Sequence, residues 1–291
     1  MERYIDKFNY LVDSGYNRDI LYNYFYVDDK VIHNIVDKIF NKYVKNLVKE
    51  EVPRCLIVGG QPGSGKSCFC SNFVLENSNY FSINMDNYRV YHPYYYEIRR
   101  MVLDKWWDDD GNSEMSPSND FANITHYFVV RVNELLVDKL IKERYNILLE
   151  WNLRNSKGTL EFAWRLNKDC YVVDIVVIIT SRYTSYQACN LRYEIMKDKD
   201  RLVRRVPKSF HDLCVEALIS SLGDIDKVGY RENRFINSIS CILRDGTIIW
   251  KSGMNNISST ISKYLNSEDE DVINDVNYVK KMYDMENNLI N

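Results

Sequence analysis

The chain of 291 residues has no long apolar run, no low-complexity linker and no internal repeat. Its longest apolar stretch, residues 171–180, is interrupted by Asp174 and is far shorter than the roughly 20 residues of a membrane-spanning helix. Residues 1–10 mix charged and aromatic side chains, so they lack the apolar centre of a signal peptide. These absences predict a soluble, cytoplasmic protein that has no membrane partner.

The chain also lacks a surplus of positive charge, because its formal net charge is -3 at pH 7. Proteins that bind nucleic acid usually carry a basic surplus, so we expect no nucleic-acid partner. The seven cysteines are scattered, and Cys68 and Cys70 are too closely spaced for a usual zinc pair. Reduced thiols are therefore expected, and a chain of this length buries a large core without disulfides or a structural metal.

The order of predicted elements indicates an α/β fold. A helical period of apolar residues runs between residues 29 and 49, and Pro53 ends it. Strands are predicted at residues 54–58, 80–84, 145–149 and 171–180. Helices are predicted at residues 65–75, 121–144, 181–196 and 208–222, with Gly223 placed to end the last one.

Alternation of strands and helices predicts a mostly parallel sheet with helices on both faces. Residues 239–243 and 247–250 flank Asp245-Gly246, which predicts a C-terminal β-hairpin at an edge of that sheet. A final helix is expected after the acidic cluster at residues 268–271, which we interpret as a solvated helix start.

Residues 60–67 fit the phosphate-loop pattern G-x-x-x-x-G-K-[ST] at every fixed position. Four of the eleven glycines lie at positions 59–65, where they let the backbone curl with its N–H groups turned inward. The motif follows an apolar strand and opens a helix, which adds the positive end of its dipole. The sequence therefore predicts a site for ATP and Mg²⁺, with Lys66 on the phosphates and Ser67 as the metal ligand. The predicted nucleotide-binding residues are Gly60, Gln61, Pro62, Gly63, Ser64, Gly65, Lys66 and Ser67.

Other features separate the classes of P-loop protein. A GTPase would carry Asn-Lys-x-Asp, and residues 167–170 lack its final aspartate. A motor ATPase would end a later strand in aspartate, whereas residues 147–149 are followed by Glu150. A small-molecule kinase needs a carboxylate near the second strand, and Asp86 follows that strand. The alternative is that Asp86 caps the turn that follows.

Several motifs follow the phosphate loop in a set order. They are Asp86-x-x-Arg89-x-x-His92-Pro93, then the strand at residues 145–150, with Glu134 sixteen residues before Glu150. The run Arg192-Tyr193-Glu194 and the segment Arg204-x-x-Pro207-Lys208-x-x-His211-Asp212 come later. Together these motifs resemble the zeta toxin family, the kinase halves of toxin–antitoxin pairs, and the resemblance covers residues 52–252.

The resemblance implies a P-loop kinase fold over residues 51–291, with a C-terminal helical extension. It implies transfer of the ATP γ-phosphoryl group to a hydroxyl of a UDP-activated amino sugar such as UDP-N-acetylglucosamine, which blocks synthesis of a cell-wall precursor. Asp86 is then the general base, and Lys66, Arg192 and Arg204 stabilise the transferring group. The residues expected to hold the sugar nucleotide are Glu134, Glu150, Asn152 and Arg154.

Some roles have alternatives. Arg205 competes with Arg204, which we favour because it keeps register with Pro207. Glu134 could simply face water, and both Arg192 and Arg204 could be solvated cations at helix ends. His92 is expected to shape its loop, because the following proline favours an extended backbone there. The tyrosines that follow Asp86 either stack on a substrate ring or form a packed aromatic flap, which we favour for most of them: Tyr88, Tyr91, Tyr94, Tyr95 and Tyr96.

One departure from the family concerns the acceptor. After Glu150 the family usually has Gly-Thr, whereas this chain has Trp151-Asn152. Trp151 either points into the core or reshapes the acceptor pocket. Two alternatives to a UDP-sugar kinase therefore stand: a kinase for a nucleoside, dinucleotide or antibiotic hydroxyl, and an ATP-dependent switch without transfer.

Residues 1–50 are predicted to be a separate helical segment that packs on the core. The resemblance offers a second interpretation, in which this segment is the docking surface for a small helical antitoxin protein.

Overall fold

The computed structural model describes residues 24–105, 117–197, 200, 202, 203 and 205–267. The chain divides into two compact units. The first unit comprises residues 1–42, 84–138 and 193–205, and the second comprises residues 43–83, 139–192 and 206–291. The boundary predicted at residue 50 stays a prediction. Within the described residues, no helix is long and apolar enough to cross a bilayer.

A six-stranded sheet forms the centre of the second unit. Its strand order is β2-β3-β1-β4-β5-β6, and every neighbouring pair is parallel except β5 with β6. The mostly parallel sheet and the antiparallel hairpin at its edge confirm the predicted fold class. The strands are β1 Arg54–Gly59, β2 Phe81–Ile83, β3 Ile147–Glu150, β4 Val172–Ile178, β5 Ser238–Ile242 and β6 Ile248–Lys251.

Helices fill the connections between the strands. The α-helices are α1 Asp29–Tyr43, α2 Lys66–Glu76, α3 Tyr95–Lys105, α4 Pro117–Ile124, α5 His126–Glu143, α6 Ser156–Lys168, α7 Arg182–Met196, α8 Lys208–Asp224 and α9 Ile257–Leu265. Short 3₁₀ helices follow at Val44–Asn46 and Met85–Tyr91, and a π-helix spans Ile225–Glu232.

Both faces of the sheet are covered. On one face, Leu56, Val58 and Leu148 pack with Cys70 and the aromatic side chains of α2. On the other face, Val173, Ile175 and Val177 of β4 are at most 1% exposed. Helix α6 packs against β4. Strands buried on both faces contain little besides apolar residues, which explains the near-continuous apolar run that predicted them.

The first unit has an apolar core of its own. It is built from Phe25, helices α3 and α4, and partly buried tyrosines that pack against them. In α1, apolar side chains three and four residues apart are buried, among them Ile32, Val36 and Ile39. The helical period predicted for this segment is therefore present, although α1 ends at Tyr43 and a 3₁₀ turn follows it.

Several predicted boundaries were wrong. The helix predicted at residues 121–144 is two helices that meet at Thr125, whose hydroxyl and backbone N–H both donate to the Phe121 carbonyl. A hydroxyl bonded in this way often bends a helix. Gly223 does not end α8, which continues through the π-helix. A Cβ at Gly223 would lie 2.9 Å from Ser258 Oγ, so this glycine lets α9 approach α8 closely.

Helix α6 was not predicted. Its N-cap is Asn155, whose side chain accepts a hydrogen bond from the N–H of Gly158. The final helix predicted after residues 268–271 lies outside the described residues.

Candidate active site

The predicted phosphate loop joins β1 to α2 at the carboxyl end of the parallel strands. Three of its glycines have positive φ: 143° at Gly60, 73° at Gly63 and 107° at Gly65. A side chain at Gly63 would also place its Cβ 2.0 Å from the Ser185 carbonyl oxygen. The loop therefore requires glycine at this position for two reasons, its backbone angle and the close approach of α7.

Lys66 is the first residue of α2, and its side chain folds back over the loop. Its Nζ donates to the carbonyl oxygens of Gly60, at 2.8 Å, and Gln61, at 2.9 Å. Burial lowers the pKa of Lys66, the carboxylate of Glu150 opposes that shift, and the charge of Arg192 adds to it. A desolvated ammonium on a loop of this shape suits the β- and γ-phosphates of a nucleotide.

Ser67 and Glu150 meet beside the loop. Glu150 is the last residue of β3, in register with Val58 of β1, and its Oε1 accepts a 3.0 Å hydrogen bond from Ser67 Oγ. A hydroxyl and a carboxylate are oxygen ligands of the kind that Mg²⁺ prefers, and Mg²⁺ commonly uses only one or two protein ligands together with phosphates. The donor set therefore fits Mg²⁺ that is bound together with a nucleotide. In the described part of the chain, no cluster of three or more His, Cys, Asp or Glu side chains could hold a metal ion by itself.

A buried polar network supports the loop from the side of α7. The fully buried Gln61 donates from Nε2 to the Thr180 carbonyl at 2.5 Å and to Ser185 Oγ at 3.3 Å. Ser185 Oγ lies 2.9 Å from Nε2 of His211, which is fully buried in α8. Burial lowers the pKa of His211, so the ring is neutral and serves this network. The phosphate-loop motif gives no sign of Ser185. His211 lies in a motif that resembles the family, but the sequence predicts no contact between it and the loop.

The segment after β3 carries three of the residues considered for the acceptor. The half-buried Trp151 meets the ring of Phe162 edge-to-face, with centroids 5.5 Å apart. Its backbone N–H donates to the Val58 carbonyl. Asn152 Oδ1 accepts from the N–H of Arg154 at 3.2 Å. The guanidinium of Arg154 stacks on Phe210 at 4.9 Å, and its Nε is buried with no hydrogen-bond partner among the described residues.

Of the two arginines predicted to neutralise the phosphates, the structure describes Arg192 but not Arg204. Arg192 is half-buried on α7 in the second unit, close enough to influence the pKa of Lys66. Arg204 lies outside the described residues. Its competitor Arg205 is half-buried in the first unit, where its guanidinium lies 5.6 Å from the ring centroid of Tyr193.

Asp86 lies in the first unit, in the 3₁₀ helix that follows β2. Its backbone N–H donates to Asn84 Oδ1, so the capping side chain is Asn84 rather than Asp86. Asp86 Oδ1 accepts from Nη2 of Arg89 at 2.7 Å and from Nε at 3.1 Å. The Arg89 side chain is only 12% exposed, and its Nη1 also bonds the Ala122 carbonyl and Thr125 Oγ1.

The remaining predicted residues of the first unit have local roles. Glu134 is exposed on α5 and lies 3.4 Å from Nη1 of Arg131. His92 is 3% exposed and packs edge-to-face on Phe128, and burial lowers its pKa to about 4. A neutral buried ring agrees with the structural role expected for His92.

The tyrosines that follow Asp86 are mostly packed. Tyr88 is 4% exposed, whereas Tyr94 and Tyr95 pack against the core of the first unit. Tyr96 is 81% exposed. Tyr88, Tyr94 and Tyr95 are therefore packed side chains, in agreement with the interpretation favoured for most of these tyrosines.

The glycine loop follows a central strand of a parallel sheet, a lysine lies over the loop, and a serine–glutamate pair lies beside it. These features define a P-loop nucleotide-binding protein. The sequence model of the family described as "Zeta toxin" matches residues 39–253, which is more than half of the chain. The protein belongs to the zeta toxin family.

Relatives of known name agree with this assignment. The chain is 26% identical over 226 residues to "Toxin zeta" of Streptococcus agalactiae, covering 77% of this chain and 72% of the relative. It is 27% identical over 209 residues to "Toxin PezT" of Streptococcus pneumoniae serotype 4, covering 71% and 75% respectively.

Solved structures share the fold. A structure from the PezAT chromosomal toxin-antitoxin system of Streptococcus pneumoniae has a TM-score of 0.71 at 20% identity, and covers 89% of this chain and 97% of that one. The AvrRxo1-ORF1:-ORF2 structure with ATP has a TM-score of 0.56 at 9% identity, with 87% and 84% covered.

Proposed function

We propose that this protein transfers the γ-phosphoryl group of ATP to a hydroxyl of a UDP-activated amino sugar, of the UDP-N-acetylglucosamine type. The observation that carries the proposal is the group formed by Lys66, Ser67 and Glu150 at the glycine loop. A lysine, a hydroxyl and a carboxylate around a phosphate loop are the parts that phosphoryl transfer needs on the nucleotide side.

The chemistry is an in-line displacement at the γ-phosphorus. The acceptor oxygen forms a bond to phosphorus, and the bond from phosphorus to the oxygen bridging the β-phosphate breaks with its electron pair, releasing ADP. The acceptor proton passes to the carboxylate of Asp86. Ser67, whose hydroxyl donates to Glu150, would hold Mg²⁺, and the bound ion would neutralise charge on the phosphates.

Positive side chains stabilise the charge that spreads over the transferring group. Lys66 and Arg192 serve this role from the second unit, and Arg204 is the proposed third cation. Each cation lowers the barrier only by the amount that it binds the transition state more strongly than the bound substrates.

The sugar nucleotide is proposed to bind Arg154, Asn152 and Glu134. The support is strongest for Arg154, because its buried Nε has no partner among the described residues and its guanidinium lies over the ring of Phe210. A buried donor without a partner is costly, so a ligand oxygen there would be bound favourably. Glu150 has two carboxylate oxygens, which allows it to contact the sugar nucleotide as well as Ser67.

In the cell, we propose, phosphorylation of this sugar nucleotide removes a cell-wall precursor and arrests growth. A small helical antitoxin is the proposed partner. Support comes from the relatives named as toxins and from the neighbour that belongs to a toxin-antitoxin system. Residues 1–50 are one proposed docking segment for it.

Trp151 supports a second candidate, a kinase with a different acceptor. Its indole replaces a glycine of the family directly after Glu150, and the ring packs on Phe162 without being fully buried. A nucleoside, dinucleotide or antibiotic hydroxyl is the alternative acceptor. The Trp151→Gly variant should change the KM for the acceptor while the KM for ATP stays within about twofold.

The test is a product assay by mass spectrometry. Wild-type protein and the variants Lys66→Ala and Asp86→Asn are incubated with ATP, Mg²⁺ and a panel of UDP-sugars, nucleosides and dinucleotides. We expect phosphorylated UDP-N-acetylglucosamine from the wild type alone. If only another acceptor is phosphorylated, that acceptor takes the place of the UDP-sugar as the proposed substrate. If ATP binds and no product forms, a nucleotide-dependent switch is favoured. Expression in cells adds a second readout, because growth arrest that survives Asp86→Asn would contradict a toxic kinase.

A further inference from the structure

Arg244 contacts the outer side of the phosphate loop from a distant part of the sequence. It lies in the turn that joins β5 to β6, and its Nη2 donates to the Gly63 carbonyl at 2.6 Å. Its Nε donates to the Ser64 carbonyl at 3.2 Å. Arg244 lies 181 positions after Gly63 and 180 positions after Ser64 in the chain. All three residues belong to the second unit.

The loop needs such donors because of its shape. A loop that turns its N–H groups toward a phosphate turns several carbonyl groups the other way, and those carbonyls need partners. The Ser64 carbonyl has two, since it also accepts a 3.0 Å bond from Thr180 Oγ1. A trans peptide points its C=O and N–H in opposite directions, so fixing the Ser64 carbonyl also fixes the direction of the Gly65 N–H.

The charge of Arg244 adds to this effect. A guanidinium is always protonated, and its hydrogen bonds to carbonyls are stronger than those of a neutral donor. A cation on the carbonyl side of a peptide polarises it, so the N–H on the other side becomes a better donor to an anion. Arg244 is half-buried, which limits the screening of its charge by solvent.

We propose that Arg244 is a positioning residue for nucleotide binding: it holds the peptides of Gly63 and Ser64 in the orientation that binds the nucleotide phosphates. The inference rests on the proposed use of the loop for ATP, and it assigns Arg244 no contact with the reacting atoms. It predicts a specific kinetic pattern. Loss of Arg244 weakens ATP binding in the ground state and in the transition state alike, so the KM for ATP rises while kcat at saturating ATP changes little.

Three variants test the proposal. Arg244→Met removes the donors and the charge but keeps much of the length, and Arg244→Lys keeps the charge with a single donor group. Arg231→Met is the matched control, because Arg231 donates to the Met254 carbonyl and to Asp226 elsewhere in the second unit. Calorimetry measures the Kd of ATP and of ADP in the presence of Mg²⁺ and in the absence of any acceptor, and thermal unfolding measures the Tm of each variant.

We expect Arg244→Met to raise the Kd of both nucleotides by about 10- to 100-fold, the range for hydrogen bonds to a charged group. Arg244→Lys should recover part of the affinity, and Arg231→Met should leave it within about twofold of the wild type. A Tm that falls equally in Arg244→Met and Arg231→Met, with nucleotide affinity unchanged in both, would reduce Arg244 to a structural contact and overturn the inference.

The experiment separates this inference from the proposed function. If wild-type protein binds ATP tightly and phosphorylates no UDP-sugar, the acceptor proposal fails while the role of Arg244 is still measured by the binding data. If the wild type binds neither nucleotide, the ATP site fails, and the role of Arg244 fails with it.

Discussion

The hydroxyl of Ser67 lies 3.0 Å from Oε1 of Glu150, although 83 residues separate the two in the chain. Their contact follows from the sheet, because β3 runs parallel to β1 with Glu150 in register with Val58, and the phosphate loop begins directly after β1. This contact is the basis of one role proposed for Glu150, beside the metal ligand Ser67, and the other proposed role is contact with the sugar nucleotide.

Glu150→Gln tests which of these roles dominates. Glutamine keeps an oxygen that can accept from Ser67 but removes the negative charge. We expect the Mg²⁺ concentration for half-maximal activity to rise by about 10- to 100-fold, as for other groups that orient a metal ligand. The KM for the acceptor should rise by less than this. Mg²⁺ titrations at saturating ATP and acceptor give the first value, and acceptor titrations at saturating ATP and Mg²⁺ give the second.

The matched control for this variant is Glu161→Gln, since the Glu161 side chain is 68% exposed on α6. It should leave the Mg²⁺ dependence unchanged. A raised acceptor KM in Glu150→Gln with a normal Mg²⁺ requirement would instead make Glu150 a ligand of the sugar nucleotide.

Gly63→Ala should abolish nucleotide binding. The new Cβ would meet the Ser185 carbonyl oxygen at 2.0 Å, and the φ of 73° is itself unfavourable for alanine. Gly253→Ala is the matched control, because Gly253 has a φ of 98° with no atom within 4 Å of the added Cβ. That variant should lose only about 1 kcal/mol of unfolding free energy. Equal loss of ATP affinity in both variants would contradict a steric requirement at Gly63.

Lys66→Met should separate stability from function. Burial lowers the pKa of Lys66, so its charged form is less favourable in the folded than in the unfolded chain. The methionine variant should therefore lose ATP binding while its Tm rises by about 2 °C. The sign of the pH dependence follows: the wild type gains stability relative to the variant as pH rises toward 10.5, the ordinary pKa of lysine. Paired thermal scans at pH 7 and pH 9.5 check this, and a variant less stable at both values would disprove it.

Arg89→Met should lower kcat by about tenfold without changing the KM for ATP, because Asp86 would lose the group that fixes its carboxylate. It should also cost about 2 kcal/mol of unfolding free energy, since the Ala122 carbonyl loses a buried donor. Arg100→Met is the control, as this side chain is 79% exposed and pairs with Asp104 at 3.7 Å. Lost stability with normal kcat would leave Arg89 as a structural residue only.

Acid should destabilise the protein through two buried histidines. Burial lowers the pKa of His92 to about 4 and also lowers that of His211, so the unfolded chain binds more protons below pH 6.5. Stability then falls as pH drops from 6.5 toward 4. Replacing His92 by phenylalanine should reduce the slope of unfolding free energy by about 1.4 kcal/mol per pH unit in this window. Urea titrations at pH 6.5, 5.5 and 4.5 measure it, and an unchanged slope would contradict the assignment.

What the sequence predicted correctly is mostly local. The phosphate loop is a continuous motif, and the hairpin turn Asp245-Gly246 is set by its own residues, so both could be recognised without the fold. The alternation of elements also indicates a parallel sheet. The order of the strands could not be predicted, because nothing in the local sequence shows that β3 lies beside β1. The Ser67–Glu150 contact depends on the pairing of these two strands.

Contacts distant in sequence could not be predicted. Arg244 and Ser185 reach the phosphate loop from segments with no motif of their own, and their positions follow from tertiary packing. Gly223 shows the same limit in another way. A glycine near a helix end usually signals a C-terminal cap, but here the absent side chain makes room for Ser258 of α9. The roles predicted for the catalytic, nucleotide-binding, metal-binding and sugar-binding residues all stay predictions.

Three of the points at which the chain passes between its two units lie within helices α1, α5 and α7, not in linkers. Each unit is assembled from three separated stretches of sequence. Neither unit can therefore be expressed as one uninterrupted fragment, and limited proteolysis could separate them completely only by cutting folded helices as well as the crossings at residues 83–84 and 205–206. A gene fragment that ends at the crossing within α5 or α7 would encode parts of both units and would complete neither, so we expect its product to be inactive.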